Sequence, residues 1–226
     1  MKQYMGVNSC EHWKDQNYMD KSNSLEHLFP MNILMNRKSK FRTVIDVGVN
    51  TIRYLDFYSQ YFDNVIGFEP NKITYDHMVP YIRNNVRLHN ICLSNKSETI
   101  DFYSCLIDSG YSTMNVARYN ELLAGGQFSK FDFVVSPMDT YTIDDFANDH
   151  DNVDLLKIDA EDEDINILMG AIHLIERDRP VIQMEHVLNY DNTDLFFDTI
   201  SRINYIEIHP YFESRNHYFI PKEEMT

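Results

Sequence analysis

Basic residues are scarce in this sequence. Its 226 residues include 20 Lys and Arg against 35 Asp and Glu, which gives a formal net charge of −15 at pH 7. Proteins that bind nucleic acids rely on Lys and Arg to neutralise phosphates, and anionic membrane surfaces attract the same side chains. We therefore expect neither a nucleic acid nor a membrane among the partners of this protein.

Cysteine and long apolar runs are scarce as well. The three cysteines, Cys10, Cys92 and Cys105, form no C-x-x-C pair, which argues against a structural zinc site and fits a reducing compartment. No apolar run approaches the length of about 20 residues that a membrane-spanning helix needs, and the N-terminus shows no signal-peptide pattern. These features predict a cytoplasmic protein. The abundance of asparagine adds the hypothesis of an AT-rich genome, such as that of a virus acting in the host cytoplasm.

Glycine is rare too, because seven glycines are few for a nucleotide-binding domain. One stretch, residues 41–71, nevertheless predicts a β-α-β unit of the nucleotide-binding kind. An apolar run at 43–45 ends at Asp46 and Gly48, a helix-length segment follows at 54–62, and a second run at 65–68 ends at Glu69. Such units bind nucleotides at the carboxyl edge of the sheet, with an acid about 20 residues after the glycine on the ribose hydroxyls.

The turn after the first strand distinguishes between classes of nucleotide. A dinucleotide site requires G-x-G-x-x-G, so that a pyrophosphate can lie against bare backbone, but here only Gly48 is present and Asp46 would repel phosphate. Asp46 suits a ligand with a cationic amine and a sulfonium, such as S-adenosylmethionine (SAM). Two alternatives stay open at this point, an NAD-linked oxidoreductase and a β-α-β unit without a ligand.

The rest of the chain predicts further α/β elements around this unit. Residues 1–40 are interpreted as an N-terminal arm or helical lid with a helix broken or kinked at Pro30, and residues 41–226 as one domain. The strand predictions are 86–93, 100–106, 131–135, 141–143, 153–158, 181–184, 205–208 and 217–220. The helix predictions are 73–84, ending near Pro80, 161–177 and 195–203.

Taken in order, several segments resemble the FkbM-like family of SAM-dependent O-methyltransferases. They are VIDVGVN (44–50), VIGFEPN (65–71), NICLSNKSETIDFYS (90–104), SPMDTYTIDD (136–145), VDLLKIDAEDEDINILMGA (153–171) and RPVIQMEH (179–186). The resemblance implies an α/β, Rossmann-like class I methyltransferase fold. Its seven-stranded, mostly parallel sheet has helices on both faces, and we expect a β-hairpin insertion before the fourth core strand. Family members usually carry glycine where this chain has Ile52 and Asp162.

The resemblance and the edge position together imply a set of cofactor-binding residues. Asp46, Gly48 and Asn50 would hold the methionyl end of SAM, and Glu69 the ribose. Asn71 is expected near the adenosine, and Ser94 is a candidate on the adenine side.

Candidate catalytic residues follow the fourth and fifth core strands. Asp159 is expected to face the acceptor, with Lys157 and Glu161 on the same side because side chains alternate along a strand. Alternation separates Glu185 from His186, and His186 is the better general base because imidazole titrates near neutrality. For Glu161 and the acids after it, a helix N-terminus is the competing interpretation.

A metal site is a further alternative, although we expect no metal. Asp159, Glu161, Glu185 and His186 could converge on Mg²⁺ or Mn²⁺, which would lower the pKa of an acceptor hydroxyl.

The sequence thus predicts a SAM-dependent O-methyltransferase that acts on a carbohydrate hydroxyl of a deoxysugar or glycan residue. The partner is then a small-molecule or glycan acceptor, and a homo-oligomer is left open. The alternatives are a catalytically inactive relative that binds a partner or an assembly, supported by Ile52, and an NAD-linked oxidoreductase.

Overall fold

The computed structural model of the chain describes residues 21–37, 40–147, 152–185, 193–210 and 214–224. The strands are β1 Phe41–Val47, β2 Phe62–Phe68, β3 Val86–His89, β4 Cys92–Leu93, β5 Thr99–Cys105, β6 Phe133–Tyr141, β7 Val153–Ile158, β8 Val181–Glu185, β9 Tyr205–Ile208 and β10 Asn216–Pro221. The helices are α1 Lys21–Arg37, α2 Ile52–Tyr58, α3 Lys72–Met78, α4 Val116–Ala124, α5 Ile143–Ala147, α6 Asp164–Met169, α7 Ile172–Asp178 and α8 Thr193–Arg202.

The main sheet has seven strands in the order β3-β2-β1-β7-β8-β10-β9. The five strands from β3 to β8 run parallel, and β10 is antiparallel to both of its neighbours. This arrangement confirms the predicted α/β fold with a seven-stranded, mostly parallel sheet. Parallel sheets need both faces covered, which explains why β1 and β7 are buried almost throughout.

Two apolar cores lie on opposite faces of this sheet, because neighbouring residues of β1 point in opposite directions. Ile45 and Val47 pack in the first core, which also receives residues of α5, α6, α7 and α8. Val44 packs in the second core with residues of α1, α2 and α3. Helices on both faces therefore bury the sheet that carries the candidate site.

Helix α1 runs unbroken through Pro30, so the predicted break there is wrong. Proline has no N–H to donate to the carbonyl four residues earlier, which is that of Glu26. The hydroxyl of Tyr218 on β10 donates to this carbonyl at 3.2 Å. Met31 and Leu34, each 1% exposed, then hold the helix against the second core. Contacts distant in sequence thus stabilise the helix across its proline.

The predicted strand 86–93 is divided between two sheets. Its first part is β3, whereas β4 joins a small sheet of order β4-β6-β5. Asn90 lies between the two parts, and its side-chain amide donates to the carbonyls of Glu69 and Pro70 at 2.9 Å each. These bonds hold the chain at the end of β2 and stop the main-sheet pairing there.

The small sheet occupies the place of the expected hairpin insertion. Strands β5 and β6 pair antiparallel, but residues 106–132 between them include α4, which the sequence did not predict, instead of forming a tight turn. The two strands predicted on either side of Pro137 are one strand, β6. Strand β4 pairs with β6 only at Thr140 and Tyr141, so a proline fits at 137, where one side of β6 has no partner strand.

The predicted helix 161–177 is two helices, α6 and α7. Gly170 ends α6 where the backbone passes close to Ser94, whose carbonyl oxygen would lie 2.3 Å from an added Cβ. The carboxylate of Asp144 then accepts from the backbone N–H groups of His173 and Leu174, at 3.0 and 2.9 Å, which caps a new helix N-terminus. Within the described ranges, no helix is both long and apolar enough to cross a bilayer.

Gly48 joins β1 to the turn that follows it and has a φ of +74°. The end of β7 lies directly against this turn, since the N–H of Asp159 donates to the carbonyl of Val47 at 3.0 Å. A Cβ at position 48 would lie 1.7 Å from the carbonyl oxygen of Asp159. Glycine is therefore required here for its backbone conformation and for space.

We expect Gly48→Ala to lower the free energy of unfolding by about 2–5 kcal/mol, as the sum of left-handed strain and overpacking. Gly126→Ala is the matched control, because Gly126 has a φ of +72° but nothing within 4 Å of an added Cβ. The control should lose only the strain, about 1–2 kcal/mol. Urea denaturation measures the free energy of unfolding of both variants. Equal losses in the two variants would show that the contact between position 48 and β7 adds no destabilisation.

Candidate functional site

Four strands end at one edge of the sheet and present a row of residues there. The pairings of Val47 with Phe68 and Ile158, and of Ile158 with Met184, bring these strand ends level. The residues that follow directly, or that end the strand in the case of β8, are Gly48, Glu69, Asp159 and Glu185. The prediction that the turn glycine and the acids share one edge therefore agrees with the pairing.

A first cavity of about 190 Å³ opens at this edge. Its lining includes Gly48, Asn50 and Glu69, three of the candidate cofactor-binding residues, and apolar side chains such as Phe68 and Ile91. Among the described residues, its walls include five carboxyl side chains and no Lys, Arg or His. The five are Glu69, Asp159, Glu161, Glu163 and Glu185.

Glu69 is held rigidly in the wall of the first cavity. It is 5% exposed, and its two carboxylate oxygens accept from the backbone N–H groups of Asn50, at 2.8 Å, and Asn71, at 2.7 Å. Burial raises the pKa of Glu69 to about 7, against the lowering effect of these two hydrogen bonds. A carboxylate oxygen accepts more than one hydrogen bond, so Glu69 can still accept from a ligand hydroxyl.

Asn50 adopts a left-handed conformation, with a φ of 50°, and its side chain accepts a hydrogen bond from Ser109. Asparagine tolerates this conformation better than most residues. Ile52 has no positive φ; it begins α2, is 7% exposed and packs in the second core with Val49 and Leu55. It lines neither this cavity nor the second one described below. Isoleucine at the family's glycine position therefore leaves the crevice open.

Asn71 and Ser94 lie outside the walls of the first cavity, which differs from their predicted contacts with the adenosine. Asn71 is 1% exposed, and its side-chain oxygen caps α3 by accepting from the N–H of Ile73 at 3.0 Å. Its amide donates to Ser112 at 2.9 Å. Ser94 is buried where its N–H donates to the carbonyl of Tyr141 at 2.9 Å. Both side chains occupy structural positions.

Asp46 also lies outside the walls of the cavity, although it was predicted to hold the amine of a ligand. It is fully buried, and its Oδ1 lies 3.0 Å from Nζ of Lys157, which is 2% exposed. Nζ of Lys157 also lies 3.4 Å from Oδ2 of Asp159. Burial alone would lower the pKa of Lys157, but the charges of Asp46 and Asp159 outweigh it and raise this pKa well above its usual value. Asp46 therefore meets a protein cation in place of a ligand cation.

Asp159 and Glu185 lie where the first cavity meets a second one of about 530 Å³. Burial, the charge of Asp159 and a hydrogen bond with Asp159 raise the pKa of Glu185 to about 7. Burial and the charges of Asp159 and Asp162 likewise raise the pKa of Glu161, a residue of the first cavity, to about 7. Near neutral pH the carboxyl groups of Glu161 and Glu185 are therefore each partly protonated and partly ionised.

The chain turns between β7 and α6 through two left-handed residues, Glu161 and Asp162, with φ of 47° and 80°. The predicted helix 161–177 would include both residues, but α6 begins only at Asp164. Oδ1 of Asp164 closes the turn by accepting from the N–H of Ala160 at 3.0 Å. Glu161 lies beyond the end of β7, so strand alternation does not determine its direction.

The second cavity extends from Asp159 and Glu185 towards α1 and β10. It is lined by Glu26, His27, Tyr54, Lys157, Asp159, Gln183, Glu185, Ser214, Arg215 and Asn216. The sequence did not predict Glu26, His27 or Gln183 as site residues. The one available signal was that His27 shares a helical face with Met31 and Leu34, where a buried polar residue is unusual.

His186, the predicted general base, lies outside the described residues. Within the described ranges, no group of three or more His, Cys, Asp or Glu side chains is arranged to hold a metal ion.

Comparisons with known proteins agree with this geometry. A family model described as the methyltransferase FkbM domain matches residues 46–220. A comparison with proteins of curated function finds no match.

Several solved structures are similar to this chain at low sequence identity. Methyltransferase FkbM from Methylobacillus flagellatus KT is 17% identical with a TM-score of 0.50; the match covers 80% of this chain but only 44% of that one. Ribosomal protein L11 methylase from Lactobacillus delbrueckii subsp. bulgaricus is 10% identical with a TM-score of 0.44, over 88% of this chain and 77% of that one. M. capricolum TrmK, solved with S-adenosyl-homocysteine, is 9% identical with a TM-score of 0.35, over 85% and 66%.

The chain spans less than half of the Methylobacillus protein's length, so that likeness describes a shared domain. The family model, in contrast, covers most of this chain, from Asp46 in β1 to Ile220 in β10. The resemblance found in the sequence is thereby confirmed, and the chain belongs to the methyltransferase FkbM domain family.

Proposed function

We propose that this protein is a SAM-dependent O-methyltransferase that acts on a carbohydrate hydroxyl. The observation that carries the proposal is the junction of two cavities at Asp159 and Glu185, one cavity rich in carboxyl groups and the other lined by polar side chains. Methyl transfer needs a donor and an acceptor to meet at one point with a proton acceptor beside them.

The first cavity has the chemistry of a site for a cation. Burial raises the pKa values of Glu69, Glu161 and Glu185, and the charge of Asp159 adds to the rise for Glu161 and Glu185, so a positively charged ligand would favour their ionised forms. SAM carries an ammonium and a sulfonium, and when bound it supplies the methyl group on its positively charged sulfur. Glu69 would accept from the ribose, Gly48 and Asn50 would lie along the methionyl end, and Phe68 and Ile91 would contact the adenine.

Among the described residues, Asp159 and Glu185 are positioned to take the proton from the acceptor hydroxyl. They lie at the junction of the cavities, and Asp159 is close enough to Glu185 to raise its pKa. Because the pKa of Glu185 is about 7, its ionised form is available at neutral pH to take a proton from the acceptor hydroxyl. Lys157, held between Asp46 and Asp159, fixes the position of Asp159.

The two alternative functions receive no support from this geometry. An inactive relative was suggested by Ile52, but that side chain packs in the second core. An NAD-linked enzyme would place a pyrophosphate among the five carboxyl groups of the first cavity, where like charges repel it.

Calorimetric titration distinguishes the three functions directly. We expect S-adenosyl-homocysteine and SAM to bind with micromolar dissociation constants and NAD not to bind, because the cavity favours cationic or neutral ligands. If none of SAM, S-adenosyl-homocysteine and NAD binds, the result would support the inactive relative. Binding of NAD alone would support the oxidoreductase.

Substitutions of Glu69 and Asp159 should separate binding from turnover. Glu69→Ala should weaken SAM binding at least about 10-fold, because hydrogen bonds to a charged group contribute about 1.5–3 kcal/mol. Asp159→Ala should bind SAM normally but stop methyl transfer, measured by mass spectrometry of glycans incubated with isotope-labelled SAM. Normal turnover by Asp159→Ala would refute the site assignment.

The pH dependence of kcat/KM tests the role of Glu185. An acid with a raised pKa acts as a base only above that pKa, so we expect the rate to rise with pH through about 7. Glu185→Gln should lower kcat/KM by about 10²–10⁴-fold and abolish its rise with pH. Glu161→Gln is the matched control, because the pKa of Glu161 is also about 7. If the rise of kcat/KM with pH disappears in Glu161→Gln and persists in Glu185→Gln, the proton acceptor is Glu161.

A further inference from the structure

Helix α1 precedes the region that the family model matches, yet it forms one wall of the second cavity. It contributes Glu26 and His27, and the opposite wall includes Gln183 of β8 and Asn216 of β10. The helix is anchored at this point, because Ser214 donates to Oε1 of Glu26 at 3.1 Å. Residues before the family domain thus shape the space beside the proposed reaction centre.

Two side chains of this cavity keep a buried polar atom without a partner. Nε2 of His27 and Oε1 of Gln183 have no hydrogen-bond partner in the described part of the chain, and the two residues are 6% and 1% exposed. A buried polar group without a partner is destabilising by about 1–3 kcal/mol, and most native structures avoid this. Such atoms on the walls of one cavity indicate that a ligand supplies the missing bonds.

The other atoms of these side chains are already engaged, which fixes their orientation. Nδ1 of His27 lies 3.1 Å from the hydroxyl of the fully buried Tyr58, and the ring of His27 packs 3.8 Å from that of Tyr54, centroid to centroid. The amide nitrogen of Gln183 donates to Oδ1 of Asn216 at 3.1 Å. Gln183 therefore offers a hydrogen-bond acceptor, and His27 offers one ring nitrogen.

The charges around the cavity disfavour an anionic ligand. His27 is neutral near pH 7, because burial and the nearby charge of Lys157 lower its pKa to about 3. Lys157 is itself paired with Asp46 and Asp159. Glu26, Asp159 and Glu185 add carboxylates, whereas the remaining cation of the wall, Arg215, is exposed. A wall rich in acceptors and carboxylates suits a ligand with several hydroxyl donors and no negative charge.

We propose that His27 and Gln183 recognise the acceptor by binding hydroxyl groups of an uncharged sugar ring, with a further hydroxyl directed at Asp159 and Glu185. This inference rests on the proposed function and adds to it the specificity-determining residues and the neutral class of acceptor. The two residues bind and position the sugar, while the proton acceptor is the carboxyl pair.

The test measures sugar binding and methyl transfer separately. The probes are methyl glycosides of neutral hexoses and 6-deoxyhexoses, and methyl glucuronide as an anionic counterpart. Saturation-transfer NMR with S-adenosyl-homocysteine present should show a neutral glycoside bound to the wild-type protein and no competition by the glucuronide. Equal binding of the glucuronide would overturn the proposal.

Substitutions then locate the binding. Gln183→Met and His27→Phe should each raise KM for the bound glycoside about 10-fold, as expected for one lost hydrogen bond, and change kcat less. The affinity for S-adenosyl-homocysteine should stay within about twofold, because neither residue lines the first cavity. His77→Phe and Gln127→Met, at exposed positions, are the matched controls and should leave KM unchanged.

Deoxy analogues of the bound glycoside keep the proposal testable if a variant does not fold. Removal of one ring hydroxyl should raise KM of the wild-type protein about 10-fold and should add no further loss in the variant that lacks its partner. Wild-type turnover that no deoxy analogue or variant affects would overturn the recognition role alone. Failure of the wild-type protein to bind S-adenosyl-homocysteine, or to methylate any glycan, would overturn the proposed function and this inference together.

Discussion

The buried ion pair between Asp46 and Lys157 links the two central strands of the sheet and organises the edge above them. The two residues are direct partners in the β1–β7 ladder, with 3.0 Å between Oδ1 and Nζ. Both are almost completely removed from water, so loss of either partner would leave an uncompensated charge, destabilising by about 3–5 kcal/mol. Nζ of Lys157 also lies 3.4 Å from Oδ2 of Asp159, the residue whose carbonyl oxygen lies against Gly48. The pair therefore determines where the strand ends lie relative to one another.

Above this pair, negative charge accumulates at the edge of the sheet. Lys157 is committed to Asp46 and Asp159, which leaves Glu69, Glu161 and Glu185 to share a confined space. Burial raises the pKa of all three carboxyl groups, and the charge of Asp159 raises those of Glu161 and Glu185 further. A site of this kind gains most from a ligand that brings positive charge. This is the electrostatic reason why the proposed sulfonium donor fits the first cavity better than a pyrophosphate does.

Local sequence patterns predicted the parts of the fold that local physics determines. The apolar runs and the acids after them identified the parallel strands and placed Glu69 and Asp159 at one edge. Patterns failed where a contact distant in sequence decides the outcome: the hydroxyl of Tyr218 supports α1 across its proline, and Asp144 starts α7. The same limit applies to Asp46, which its position in the motif predicted to bind a ligand. In the structure it pairs with Lys157, a residue of another strand that is distant in sequence. The second cavity was missed for this reason as well, since its walls come from elements far apart in the chain.

The two contacts at Glu26 tie the first described helix to the last strand of the main sheet. Its carbonyl accepts from Tyr218 and its carboxylate from Ser214, while Met31 and Leu34 of the same helix fill the second core. Trimming the protein to its family-matched region, residues 46–220, would remove α1 and most of β1 and would leave the remaining side chains of the second core without these apolar neighbours. The boundary of the family match and the boundary of the folding unit that buries the second core are therefore different in this protein.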